Sequence, residues 1–138
     1  MGRGPYVNGV EVPELGNYYV CMFVVNGITF NSVEQFFQYS KCVDEQDKQR
    51  ILECNDPVKC AWLGRKVRLR PDWESAKVDV MRQGVKAKLN AHPHLVVFLL
   101  HVDSFWFCEN GTKQDEWDKH NQMILTQIKE DYTSSVVT

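Results

Sequence analysis

An abrupt change of periodicity between residues 18 and 43 constrains the fold of this 138-residue chain more than any other feature. The run Tyr18–Val25 is rich in β-branched and aromatic residues, and Asn26-Gly27, the strongest short signal for a hairpin turn, follows it at once. Ser32-Val33-Glu34-Gln35 then has the form of a helix capping box, and the next ten residues contain neither Gly nor Pro. The sequence therefore predicts a small β-hairpin that returns through Ile28-Thr29-Phe30 and leads directly into a helix.

Helical patterns dominate the chain after this switch. Asp56-Pro57 has the form of an N-cap followed by proline at the first helical position, and Gly64 marks the end of that helix. Further helices are predicted from Asp44 to Cys54, from Pro71 to about Asn90, from His92 to Leu100 and from about Gln114 to Tyr132. The remaining segments are predicted as an irregular lead-in over residues 1–18, a turn at Asn110-Gly111 and a frayed tail over Thr133–Thr138.

The composition fits one globular domain. No internal repeat, low-complexity tract or linker interrupts the sequence, so we expect a single compact α+β domain, mainly helical, with its core between about residues 15 and 132. With 16 Lys+Arg against 18 Asp+Glu, the net charge of −2 provides no general basic field, which disfavours a protein that holds long duplex DNA by electrostatics. Five cysteines without a CxxC pair, no apolar N-terminal run and no apolar stretch of membrane-spanning length predict a reduced, cytoplasmic protein, with the nucleus left open.

The first predicted helix carries a polar stripe with chemical potential. At 100° per residue, Glu34, Gln38 and Lys41 fall within about 60° of each other, beside a face formed by apolar residues. Partial burial at the edge of the core raises the pKa of a Glu and lowers the pKa of a Lys, which suits acid–base or amine chemistry. The alternative is structural, because an acid in the first turn and a cation in the last turn both favour the helix macrodipole.

Two other features have a functional and a structural interpretation. Trp73, at the start of the long helix, can stack on a planar ring or can simply close the core. The stretch Gly64–Arg70 contains four cations and can bind the phosphates of a nucleotide or be an ordinary solvated loop. The histidines and cysteines lack the spacing of a zinc motif, and GxSxG, Walker and GxGxxG motifs are absent, so no metal and no cofactor are expected.

The segment Ser32–Lys41 resembles the S-x-E-x-x-F-Q-x-x-K signature of the NADAR, or YbiA-like, family. Ala61–Arg65, Asp72–Met81 and Ala87–Leu100 resemble three further blocks of that family in the same order, and Leu15-Gly16-Asn17 is a weaker echo of its L-S-N-F. The resemblance implies a single YbiA-like domain that breaks a bond between ribose C1′ and a base nitrogen. One expected reaction removes ADP-ribose from guanine, and an alternative acts on early riboflavin intermediates.

The same resemblance implies the roles of individual residues. Lys41 matches the family lysine and is expected to attack C1′ and form a Schiff base, Glu34 to shuttle protons, and Asp115 to stand in for a family acid. Substrate binding is expected at Asn17, Ser32, Gln38, Gly64, Arg65, Trp73, Trp117 and Asn121. The expected partner is an ADP-ribosylated nucleobase or nucleotide, free or within DNA, with no membrane and no obligate protein partner.

The sequence departs from the family pattern near its C-terminus. The family shows W-G-x-G followed by a Gly-rich loop, whereas here Trp117 and Asn121 are kept and the glycines are replaced. Because glycines allow the backbone to approach a ligand closely, their loss implies a reshaped pocket wall, a different substrate or lost activity. A non-catalytic module that binds ADP-ribose or another nucleotide is therefore a third expectation.

Overall fold

The computed structural model describes residues 2–108 and 114–137, which form six helices and two small antiparallel sheets. The strands are β1 (Tyr6–Val7), β2 (Val10–Glu11), β3 (Phe23–Val25) and β4 (Ile28–Phe30). The helices are α1 (Val33–Lys41), α2 (Glu45–Glu53), α3 (Pro57–Leu63), α4 (Trp73–Ala91), α5 (Pro93–His101) and α6 (Glu116–Val137). The mainly helical α+β class predicted from the sequence is confirmed.

The predicted hairpin is present but shorter than expected. β3 pairs with β4 through Asn26 and Gly27, whose φ angles of 52° and 80° are those of a tight hairpin turn. The strand begins at Phe23 rather than Tyr18, because the backbone before it bonds elsewhere. The N–H of Tyr18 donates to the Gly2 carbonyl, and that of Tyr19 donates to the Gly16 carbonyl.

The irregular lead-in predicted for residues 1–18 is wrong in part. Asn8 and Gly9, with φ angles of 52° and 81°, turn β1 back onto β2, and a short 3-10 helix follows at Pro13–Leu15. Tyr6 is tied to the C-terminal half by two backbone hydrogen bonds with Trp106, of 2.7 and 3.0 Å. The lead-in is thus a second hairpin that packs onto the domain.

The helix starts follow the predicted caps, whereas the last helix exceeds its predicted end. The Ser32 hydroxyl accepts from Gln35 N–H at 3.1 Å, and the Asp56 carboxylate accepts from Val58 N–H at 3.0 Å. α6 continues to Val137, so the frayed tail predicted from Thr133 is wrong over this range. The Thr133 and Ser135 hydroxyls donate to the carbonyls of Lys129 and Asp131 one turn earlier, so the polar side chains of this stretch are bonded within the helix. The turn predicted at Asn110-Gly111 lies outside the described residues.

Helix α1 occupies the centre of the domain and packs against α2, α3, α4 and β4. Its Phe36 approaches Gly84 of α4 so closely that a Cβ at Gly84 would lie 2.8 Å from the ring. The absence of a side chain at Gly84 thus allows α4 to pack closely against α1. In residues 2–108 and 114–137, no helix has both the length and the hydropathy of a membrane span.

Candidate active site

The polar stripe of α1 is enclosed by the fold. Glu34 and Gln38 are both completely buried, and the Gln38 amide donates to one Glu34 carboxyl oxygen at 2.7 Å. Glu34 is fixed from its backbone as well, because its N–H donates to the Asn17 carbonyl at 3.0 Å. Lys41, one turn further along, is partly buried. The structure therefore places an acid, an amide and an amine along one edge of the core.

Two oxygens in this stripe are buried without a hydrogen-bond partner in the described part of the chain, namely Oε2 of Glu34 and Oε1 of Gln38. An unsatisfied buried polar atom costs about 1–3 kcal/mol, so such atoms are rare outside functional sites. Gly64 provides the room for the amide, because a Cβ there would lie 1.8 Å from Gln38 Oε1. The predicted site residues Glu34, Gln38 and Gly64 are thus brought into direct contact.

The titration of Glu34 and Lys41 is shifted in opposite directions. Burial raises the pKa of Glu34, opposed by the hydrogen bond from Gln38 and by the charge of Lys41. Burial lowers the pKa of Lys41, opposed mainly by the charge of Glu34. Both groups move toward their neutral forms, as partial burial at the core edge predicts. The macrodipole interpretation does not account for an acid with no solvent exposure.

An aromatic wall stands beside the Lys41 amine. The Phe37 ring lies 4.9 Å from Trp73 and 5.1 Å from Trp117 between centroids, and Lys41 Nζ lies 5.6 Å from the Phe37 centroid. Trp73 is 5% exposed, so it closes the core as the structural interpretation holds, while also facing the amine at 6.0 Å. Trp117 is half-buried and offers the more accessible ring.

Two buried amides form a hydrogen-bonded network with Glu34. The Asn17 side chain donates to the Asn121 carboxamide oxygen at 3.4 Å, and both residues are buried. Because the Asn17 carbonyl also accepts from Glu34, residues far apart in the sequence meet at one point. Asn17 and Asn121, both predicted from the family pattern, are therefore part of the same cluster.

The basic loop divides into paired and unpaired cations. Arg70 forms two bonds to Asp72 at 2.6 and 2.8 Å, and Arg68 lies 4.0 Å from Asp44. Within the residues described, Arg65 and Lys66 form no ion pair. Arg65 is exposed, and its charge lowers the pKa of Lys41 after the larger effects of burial, Glu34 and Cys42. Arg65 is thus the cation of this loop that borders the site.

Ser32 and Asp115 have capping roles. The Ser32 hydroxyl is engaged at the start of α1, where it also donates to Asn31 at 2.8 Å. Asp115 is exposed and exchanges hydrogen bonds of 2.8 and 3.1 Å with Asp118 at the start of α6. These contacts explain both residues without chemistry, so their catalytic and binding roles stay predictions. Among the described residues, no three His, Cys, Asp or Glu side chains converge as a metal site requires.

Sequence reasoning missed Tyr18. Burial raises the pKa of its hydroxyl, and the charge of Glu34 raises it further, whereas the charge of Arg65 lowers it. Tyr18 also lines a cavity of about 490 Å³ with Arg3 and Tyr19. A signal was available, because Tyr18 occupies the aromatic position that follows Asn17 in the L-S-N-F echo.

The sequence matches a known protein family and several named relatives. The family model described as the NADAR domain matches residues 7–122. N-glycosidase YbiA of Shigella sonnei (strain Ss046) is 33% identical over 97 residues, which are 69% of this chain and 61% of that protein. Riboflavin biosynthesis protein VVA0006 of Vibrio vulnificus (strain YJ016) is 30% identical over 130 residues, or 84% of this chain and 35% of that protein.

Two further matches complete the comparison. The chloroplastic riboflavin biosynthesis protein PYRR of Zea mays is 26% identical over 153 residues, covering 94% of this chain and 23% of that protein. The NMR structure of the E. coli protein YbiA aligns with a TM-score of 0.74 and 25% identity over 91% of this chain and 80% of that chain. The chain thus spans about 61% of the length of the N-glycosidase it matches, and smaller shares of the riboflavin proteins.

Proposed function

The chain belongs to the NADAR domain family, and from this membership and the geometry of α1 we propose that it is an N-glycosidase acting on a ribosyl C1′–N bond. The observation that carries the proposal is the pairing of a buried, partly unsatisfied Glu34 carboxyl with the Lys41 amine on one helix face. Relatives named as N-glycosidases support the same reaction class. The proposed substrate is a guanine base that carries ADP-ribose.

Lys41 acts as the nucleophile in the proposed mechanism. Its neutral Nζ attacks C1′, the bond from C1′ to the base nitrogen breaks, and the bonding electrons leave with the base. The ring C1′–O4′ bond then opens with its electrons on O4′, which takes a proton, and C1′ and Nζ form a Schiff base. Water adds to C1′, the C1′–Nζ bond breaks, and free ADP-ribose leaves with the amine restored.

Glu34 moves protons in the same sequence. Because burial favours its neutral form, Glu34 holds a proton that it donates to the departing base nitrogen. The resulting carboxylate accepts a proton from the attacking water in the second half of the reaction. Gln38 orients one carboxyl oxygen through its 2.7 Å hydrogen bond, and the other oxygen is buried without a hydrogen-bond partner in the described residues.

Substrate binding follows from the groups around this pair. Trp117 offers an accessible ring on which a purine can stack, and base stacking on an aromatic ring is worth about 1–3 kcal/mol. Arg65 is exposed beside Lys41 and supplies a guanidinium for the diphosphate. Because the exposed Arg65 guanidinium fits a diphosphate, it favours ADP-ribose over a smaller ribosyl group as the substrate.

Riboflavin-pathway intermediates are the second candidate substrate. Two relatives carry the name riboflavin biosynthesis protein, one from Zea mays and one from Vibrio vulnificus. The same Glu34 and Lys41 chemistry applies, because the scissile bond again joins C1′ of a ribosyl group to nitrogen. The two candidates therefore differ in the binding groups and not in the catalytic pair.

The test is to incubate the chain in parallel with ADP-ribosylated guanine nucleotide, ADP-ribosylated DNA and riboflavin intermediates, and to follow ribosyl release by mass spectrometry. Cyanoborohydride added during turnover reduces the Schiff base, and we expect a ribosyl adduct on Lys41 that Lys41→Ala abolishes. Lys66→Ala is the matched control and keeps the adduct. If no substrate is turned over but the chain binds ADP-ribose, the proposed enzyme function is wrong and the chain is a nucleotide-binding module.

A further inference from the structure

A second lysine is more deeply buried than Lys41 and has no part in the mechanism. Lys88 of α4 is 2% exposed, and its Nζ donates to the Gly16 carbonyl at 2.7 Å. The ammonium also lies 5.4 Å from the centroid of the Tyr19 ring. It forms no ion pair within the residues described. Since burial of an ammonium without a carboxylate partner is costly, the position of Lys88 calls for a compensating role.

The carbonyl that Lys88 binds belongs to the turn that supports the candidate active site. Asn17, the next residue, gives its carbonyl to Glu34 N–H at 3.0 Å and its side chain to Asn121 at 3.4 Å. Tyr18, the residue after that, is held by its N–H, which donates to the Gly2 carbonyl at 2.9 Å. Lys88 therefore anchors to α4 a three-residue turn that holds the start of α1.

The turn cannot shift freely in the other direction. A Cβ at Gly16 would lie 2.5 Å from the nitrogen of Gly4, so the N-terminal segment is already in close contact with it. The Gly16 N–H also donates to Pro13 at 2.8 Å. The turn thus packs against the N-terminal segment on one side and is hydrogen-bonded to the Lys88 amine on the other.

We propose that Lys88 is a positioning residue of this active site, which acts through the Gly16 carbonyl and the Asn17 carbonyl to fix Glu34. Its kinetic consequence rests on the proposed N-glycosidase function. The Tyr19 ring faces the Lys88 amine, burial lowers the pKa of Lys88, and the charges of Cys21 and Glu14 raise it. Besides burial, the charge of Glu34 raises the pKa of Tyr18 and of Cys60, and the charge of Lys41 lowers the pKa of Glu34.

The experiment compares Lys88→Met with Lys86→Met, which removes an exposed lysine of the same helix. The Glu34 carboxyl is followed by carbon NMR titration and identified by its loss in Glu34→Gln. In Lys88→Met a loosened turn admits water to Glu34, so its pKa falls toward the ordinary range, and kcat falls about tenfold while KM changes less than about threefold. The alkaline limb of the pH–rate profile, where Glu34 loses the proton that it must donate, shifts to lower pH. Lys86→Met leaves all of these unchanged.

The two failures can be told apart. If no substrate is turned over, the proposed function is wrong, and the NMR titration alone still decides the role of Lys88. If a folded Lys88→Met has the Glu34 titration of Lys86→Met, the positioning role is wrong. Should Lys88→Met not fold, Lys88→Gln keeps a neutral donor, and a smaller shift of Glu34 in the same direction is expected; an unchanged Glu34 overturns the proposal.

Discussion

The regions around Lys41 and Lys88 show that burial alone does not make an amine a nucleophile. Burial lowers the pKa of both, and for Lys88 the value falls to about 8. Lys41, however, is partly exposed, shares a face of α1 with Glu34 and faces an aromatic wall, whereas Lys88 is 2% exposed and bonded to a backbone carbonyl. A reactive amine needs access and a proton partner as well as a lowered pKa, and only the Lys41 region combines them in the part described.

The largest expected effect separates the two lysines by their roles in turnover. Lys41→Ala removes the nucleophile, and turnover of a proven substrate is expected to fall by at least about 10³-fold, measured in single-turnover assays. Lys88→Met keeps the nucleophile and is expected to lose only about tenfold. Full turnover by Lys41→Ala would break the distinction and remove the Schiff-base mechanism.

A second prediction concerns Glu34, the proton partner that the Lys41 region has and the Lys88 region lacks. Glu34→Gln keeps the size of the side chain but removes its proton, so kcat is expected to fall about 10²-fold. Because the charge of Glu34 opposes the burial of Lys41, the variant lowers the pKa of Lys41 further. Lys88 has no such relation to Glu34, and its pKa stays near 8.

Carbon NMR of the lysine side chains measures both pKa values in the same sample. The Lys88 resonance serves as the internal control for a general change in the fold. Equal shifts at Lys41 and Lys88 would show that the substitution disturbs the core as a whole and that Glu34 is not a specific partner of Lys41.

A third prediction concerns the space around the Glu34 carboxyl. In Gly64→Ala the new Cβ would lie 1.8 Å from Gln38 Oε1, so the amide must move and the 2.7 Å bond to Glu34 is strained or lost. We expect kcat to fall about tenfold and stability to fall by about 1–3 kcal/mol. The Lys88 region, which contacts neither residue, keeps its titration.

Gln38→Ala provides the control for this substitution. If Gly64→Ala acts through the amide, it should change kcat by less than about twofold in the Gln38→Ala background, as a double-mutant cycle would measure. An undiminished tenfold loss in that background means that Gly64 affects turnover by another route.

The sequence predicts the Lys41 region better than the Lys88 region, for a physical reason. The Ser32 cap sets the phase of α1, and helical geometry then places Glu34, Gln38 and Lys41 on one stripe without any tertiary information. The bond from Lys88 to Gly16 spans 72 positions, so the helical pattern of α4 places Lys88 on the buried face but does not indicate which group it binds. The two hairpin turns show the same limit. Asn8-Gly9 carries the same local signal as Asn26-Gly27, but the hydrogen bonds between Tyr6 and Trp106 depend on the complete fold.

The smallest predicted effect is thermodynamic and belongs to Lys88 alone. Its pKa is about 8 in the folded chain, against 10.5 for an ordinary exposed lysine, so between these pH values the unfolded chain binds more protons. Stability must therefore rise with pH in this window, by about 1 kcal/mol between pH 8 and 9 for this one group, and the cost of the buried ammonium is fully present below pH 8.

Cysteines with raised pKa values, such as Cys42, oppose this rise, so the measured quantity is the difference between the unmodified chain and Lys88→Met in urea unfolding at each pH. The difference should shift by about 1 kcal/mol in favour of the unmodified chain from pH 8 to 9, whereas the difference against Lys86→Met stays flat. A flat difference for Lys88→Met would mean that Lys88 titrates as an exposed lysine, and the contrast with Lys41 would then rest on access alone.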